Sequence, residues 1–197
     1  VDLAKRGLAP ASPIATLAIV TRAITDALAC RKLEYFTPVA NTPSFSRTLG
    51  VTLAELRADG LRSHDIHGED PRSRDIRTLL ALYEQHLERA GIADHAEIQL
   101  SAARVVPEAA DVRRSLLVLV DVPISSRADE RLVTALVRQA KQSFASVPMG
   151  DTRTERFVAS LPHELVPLFP DERASALSRL CRYIFAEDVQ PAETTDD

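Results

Sequence analysis

The sequence predicts a predominantly helical α/β protein: a helical region followed by a parallel βαβ unit. Three observations carry this expectation. Apolar residues recur at helical spacing through most of the first hundred positions, with cap residues at the ends of the runs. The pattern changes at Ser115, where the short, continuous run Leu116–Val120 suits a strand buried on both faces. A second strand candidate, 143–148, follows one helical segment later. Strand, helix and strand in about thirty residues need a parallel pairing with a right-handed crossover.

The elements are justified in order. Residues 1–12 are rich in Ala, Pro and Gly and are expected to be loose. Ser12-Pro13 opens a helix, with Ser as N-cap and Pro in the first turn. Its apolar face is Ile14, Leu17, Ala18, Ile24, Ala27 and Leu28. Two prolines and Asn41 make 33–43 a connector. A second helix starts near Pro43, keeps Phe45, Leu49, Leu53 and Leu56 in register, and ends at Gly60. The stretch 61–75 is charged and without period, as in a loop. Ile76, Leu79, Leu80, Tyr83 and Leu87 then form the stripe of the strongest helix, closed by Gly91. Asp94 caps a shorter helix, and no strand signal interrupts the first hundred residues.

After Leu116–Val120, Ser125 or Ser126 caps a helix carrying Leu132, Val133, Leu136, Val137 and Ala140. Asp151 or Thr152 caps another over 151–161, and the segment after it is a loop or a late strand. Asp171 caps a C-terminal helix with Leu177, Leu180, Cys181 and Ile184. The expected organisation is a loose segment 1–12, a helical domain 13–112, a βαβ region 113–170, a helix 171–186 and an acidic tail or linker 187–197.

Composition bounds the function. The chain has 197 residues, of which 45% are hydrophobic, enough for a core. Its formal net charge of -4 excludes a general attraction to nucleic acid or membrane, so any such contact needs a local patch. Among the 24 basic residues only Lys5, Lys32 and Lys141 are lysines. That bias has two readings: the base composition of the coding DNA, or anion binding by arginine forks. Cys30 and Cys181 each sit in an apolar helical pattern and are expected as buried free thiols, in keeping with a reducing cytoplasm. No apolar run reaches a membrane-spanning length, and the N-terminus has no signal-sequence pattern. Val1 is not an initiator Met, so a processed chain or a piece of a longer one is expected.

Ligands of open α/β sheets bind beyond the carboxyl ends of the strands. Asp121 and Asp151 stand at those ends, after the two strand candidates. In a P-loop NTPase the first such acid helps to hold Mg²⁺. A Glu commonly follows it to polarise the attacking water, but here Val122 and Pro123 follow. A superfamily I helicase has Gly-Asp after the second strand and, three residues on, a Gln that senses the γ-phosphate. Gly150-Asp151 is present, with Thr154 at the Gln position. No GxxxxGK[ST] occurs, and none of the six glycines precedes a lysine. Against the nucleotide reading stand ordinary structural roles: a turn residue for Asp121 and a helix cap for Asp151.

The segments LEYFTPVANTPSFSRTLGVTLAELRADGL, RDIRTLLALYEQHLERAGIADHAEI, LLVLVDVPISSRADERLVTALVRQA and FASVPMGDTRTE together resemble the AddB-type subunit of bacterial double-strand-break repair helicase–nucleases. The resemblance covers about residues 10–190 and rests on the order and character of segments, not on a rigid motif. It implies a degenerate superfamily I helicase fold joined to a C-terminal PD-(D/E)XK nuclease. Residues 113–170 would then be a partial RecA-like unit, and 13–110 the helical insertion before the Walker B strand, which often faces DNA. The chain would start after the Walker A segment and stop before the second RecA-like domain. ATP and Mg²⁺ would belong to the full-length parent. DNA, duplex or single-stranded, and a partner helicase–nuclease subunit would be the partners. The iron–sulfur cluster that the family's nuclease can carry needs four cysteines and is not implied for a chain with two.

Other constellations are weaker. His64, Asp65, His67, Glu69 and Asp70 fit no metal-site spacing and read as a solvated loop. The serines lack a GxSxG elbow or a paired His. Arg62, Arg72, Arg74 and Arg77 cluster in and after the charged stretch, where they can meet phosphates. Asp65, Glu69, Asp70 and Asp75 neutralise much of that patch, which favours a solvated face. Three functions remain: a non-catalytic helicase-like scaffold that guides DNA or docks a partner subunit, part of an active ATP-dependent helicase whose Walker A segment is absent from this chain, and an unrelated helical protein-interaction adaptor. Val122 and Thr154 favour the first over the second.

Overall fold

The computed structural model describes residues 2–148, 150–164 and 166. Its elements in chain order are α1 (Asp2–Lys5), β1 (Ala9–Pro10), α2 (Pro13–Ala29), α3 (Pro43–Ala58), α4 (Pro71–Ala90), β2 (Ile92–Ala93), α5 (His95–Val105), α6 (Ala110–Arg114), β3 (Leu116–Val120), α7 (Arg127–Gln139), β4 (Gln142–Ser146) and α8 (Thr152–Ala159). Single 3-10 turns lie at Ser63–Asp65 and Val106–Glu108. The chain divides into two compact units. One holds the residues up to Leu117 together with Ser126–Gln142, and the other holds Val118–Ser125 and the residues from Ser143 onward.

In the first unit the helices start where short polar side chains can take an orphan N–H. Ser12, Thr42, Asp70, Asp94 and Ser126 each accept the backbone N–H of the third residue onward, as N-caps do. Proline occupies the first turn of α2, α3 and α4, where no N–H is needed. Gly91 closes α4 in the left-handed region, at φ 61. A Cβ there would sit 3.1 Å from the Gly7 carbonyl oxygen, so glycine serves both the turn and the close approach. α2 packs on α3 and α4, and α5 packs on α7. Val20, Ala23, Ala27, Leu53, Leu79, Leu80 and Tyr83 are sealed in the core between α2, α3 and α4.

In several places the structure departs from the sequence reading. The segment before α2 is not loose over its described residues: β1 pairs in parallel with β2, and the Ala9 and Ala11 N–H groups donate to the Gly91 and Ala93 carbonyls at 2.8 Å. Arg6 further ties this segment to α5 through Glu97 at 2.6 Å. Two-residue strands carry no periodicity, which is why they escaped detection. The strongest helix begins at Pro71 rather than Ile76, because its first turn is polar and is set by the Asp70 cap. The inner face of α2 is Ile19, Val20, Ala23, Ile24 and Ala27, whereas Ile14 is 83% exposed. Cys30 is exposed and free, because α2 ends at Ala29 and the chain turns away through Arg31 at φ 52.

β3 and β4, of which Val118–Val120 and Ser143–Ser146 belong to the second unit, form a two-stranded parallel sheet. Lys141 N–H donates to the Ser115 carbonyl at 3.0 Å, and Asp121 N–H to the Ser146 carbonyl at 3.2 Å, so both strands run the same way. β3 is not buried on both faces. Leu117 and Leu119 are half-buried, but Val118 and Val120 are 62% and 67% exposed. A continuous apolar run cannot reveal which of its two faces is covered. Ile124, Thr154 and Phe157 are buried. The expected helix at Asp171, Cys181 and the acidic tail lie outside the described residues.

Candidate functional site

Asp121 directly follows β3, Asp151 comes after β4 as the first residue before α8, and both are engaged. Asp121 adopts φ 49, a left-handed conformation that Asp tolerates better than most residues. Its N–H donates to the Ser146 hydroxyl at 3.1 Å, and the same hydroxyl donates to the Asp121 carboxylate at 2.7 Å. Asp151 is the N-cap of α8 and accepts the Thr154 N–H at 3.0 Å. Hydrogen bonding from Thr154, through both side chain and backbone, holds the Asp151 carboxyl below its ordinary value.

Thr154 is the residue that closes this end of the unit. It is 3% exposed, and its hydroxyl accepts the buried Ile124 N–H at 2.9 Å. Thr154 thus bonds α8 to the loop after β3. Among the described residues, no three His, Cys, Asp or Glu side chains gather as a metal site. No described helix is long and apolar enough to cross a membrane.

The four arginines of the charged stretch lie in the first unit, and three of them already have work. Arg77 donates to the Ile66 and Gly68 carbonyls at 2.8 and 2.7 Å, holding the loop before α4 in place. Arg74 pairs with Glu34 at 2.9 Å, and Arg62 reaches Glu84 at 3.4 Å. Arg72 is exposed. Asp75 does not neutralise this surface, as the sequence suggested. It is 1% exposed, and its carboxylate accepts the N–H groups of Glu34 and Phe36 at 2.9 to 3.1 Å, so it pins the 33–43 connector to α4. Glu69 stays exposed, 3.9 Å from Arg77.

Beside these arginines an open groove of about 640 Å³ runs along α4. Lys32 and Arg77 bring cations, and Ser63, His64, Thr78 and Gln85 bring polar groups. Ala81 and Leu82 add an apolar surface, and no carboxylate lines the groove. Sequence reasoning missed it because Lys32 comes from a different segment and meets α4 only in the fold.

It also missed a buried ion network behind the groove. Arg57 forms a forked pair with Asp94 and reaches Glu84 at 3.2 Å. Burial disfavours the guanidinium charge, but the hydrogen bond and charge of Asp94, with Glu84, outweigh it and raise the Arg57 pKa. Glu84 also accepts from Arg62 and Ser63, so the network reaches the wall of the groove. The available signal was Arg57 itself, which continues the i, i+4 core stripe of Leu49 and Leu53.

No family model matches the chain, and no curated protein matches it.

Proposed function

We propose that this chain is a non-catalytic, helicase-like scaffold of a DNA double-strand-break repair helicase–nuclease, in which a partial RecA-like unit is retained for shape and the helical region guides DNA. One observation carries the non-catalytic half of this reading: Thr154 stands at the sensor position, buried and bonded to Ile124 N–H. A side chain committed in this way has no freedom to follow a γ-phosphate. The reciprocal Asp121–Ser146 bonds support the same conclusion. They disfavour the reading in which ATP and Mg²⁺ act at these residues. The DNA half rests on the carboxylate-free groove and on the exposed Arg72. Docking of a partner subunit is supported by the uncovered apolar side chains Val118, Val120 and Phe144.

The test is fluorescence anisotropy with labelled single-stranded and duplex DNA across a salt series. Binding should weaken with salt, each phosphate contact adding about -0.7 to the log–log slope on single strands and about -0.9 on duplex. Sequence should not matter, since phosphate contacts carry no base information. Absence of binding at low salt, or affinity that ignores salt, would overturn the DNA-guiding role.

A further inference from the structure

We infer that the groove along α4 is a binding site for one nucleotide unit, with its phosphate between Lys32 and Arg77 and its apolar part over Ala81 and Leu82. The inference rests on the DNA-guiding reading for its choice of ligand and narrows that reading to one place. About 640 Å³ lies within the range of small-ligand pockets, which is roughly 300–1,000 Å³.

The charge arrangement points to an anion. The lining has two fixed cations and no carboxylate. Of the acids nearby, Asp75 is turned to the connector backbone, Glu34 to Arg74, and Glu84 to Arg57, Arg62 and Ser63, while Asp65 accepts the Arg62 N–H 3.6 Å from His64 and exposed Glu69 stands 3.9 Å from Arg77 at the rim. Arg77 spends its Nε and Nη2 on loop carbonyls, which fixes the guanidinium and leaves Nη1 for a ligand. A cation held in advance loses little side-chain entropy on binding. Lys32 has no side-chain partner among the described residues, and neither does Gln85. Thr78 already donates its hydroxyl to the Arg74 carbonyl and so presents an acceptor to a base or sugar hydroxyl. Apolar surface beside fixed cations suits a group with both a ring and a phosphate better than it suits a bare anion.

Both a free nucleotide and a strand of DNA carry this unit, and the experiment separates them. Isotope-labelled chain is titrated with thymidine 5′-monophosphate and with a twelve-residue oligothymidylate while amide shifts are followed. Lys32→Ala and Gln85→Glu are compared with wild type, and Arg89→Ala, at an exposed position of α4, serves as control. Neither test residue has a structural bond to lose, and unchanged melting temperatures confirm folding. The inference expects both ligands to shift amides at Lys32, Ser63 and Thr78–Gln85. Lys32→Ala should reduce the oligonucleotide salt slope by about 0.7, and Gln85→Glu should weaken both ligands several-fold. Groove shifts with the monophosphate but no tighter binding of the oligonucleotide would keep the site and remove the DNA-guiding reading. Oligonucleotide binding that bypasses the groove and ignores both variants would remove the site and keep that reading. No groove shift with either ligand overturns the inference.

Discussion

Single buried charges decide much of the first unit's stability. Asp75 holds two backbone N–H groups of the 33–43 connector, and a buried donor left without an acceptor costs about 1–3 kcal/mol. Asp75→Ala should therefore lower the unfolding free energy by about 2 kcal/mol in urea titrations, with Asp75→Asn, which keeps one acceptor oxygen, costing less. An unchanged midpoint for Asp75→Ala would mean that solvent satisfies those donors. Tyr83 is 1% exposed, and burial, with the Asp94 charge, pushes its pKa up to about 12 despite the opposing Arg57. A raised tyrosine pKa favours the folded state fully below the unfolded value of about 10, and that advantage is lost as pH rises toward the folded value. Wild-type stability should thus fall between pH 10 and pH 12 more steeply than that of Tyr83→Phe. Parallel curves for the two would contradict the role given to burial. Tyr83's place in the core is legible in the helical stripe, whereas Asp75 reads as a surface charge, because a carboxylate's partners in another segment leave no local pattern.

Elements were easier to read than contacts, and the reason is capping. Ser12, Asp94, Ser126 and Asp151 mark helix starts in the sequence because their side chains substitute for a missing carbonyl, a purely local event. Gly91 marks a stop for an equally local reason. The pairing of β3 with β4 was legible from two apolar runs flanking a helical one. The pairing of β1 with β2 was not, since it joins two dipeptides more than eighty positions apart. The groove belongs to the same class of long-range feature. The bond between α8 and the loop after β3 gives an element-scale test. Thr154→Val keeps the volume and removes the acceptor of the Ile124 N–H, a loss of about 1–2 kcal/mol. Hydrogen exchange at the Ile124 amide should accelerate by roughly tenfold or more. Exchange at the wild-type rate would mean that the hydroxyl does not hold that loop.

For the whole molecule, a helical unit offers a carboxylate-free groove, and a second unit keeps parallel strands whose terminal acids are bonded internally. Thr154, where the proposed frame would need a phosphate sensor, is bonded to the Ile124 N–H. The decisive measurement is steady-state phosphate release by the purified chain with ATP, Mg²⁺ and DNA, run beside Asp121→Ala. A scaffold should give the buffer rate in both samples while still binding DNA in a salt-dependent way. Turnover by the wild-type chain that disappears in Asp121→Ala would show a working nucleotide site and contradict the non-catalytic reading.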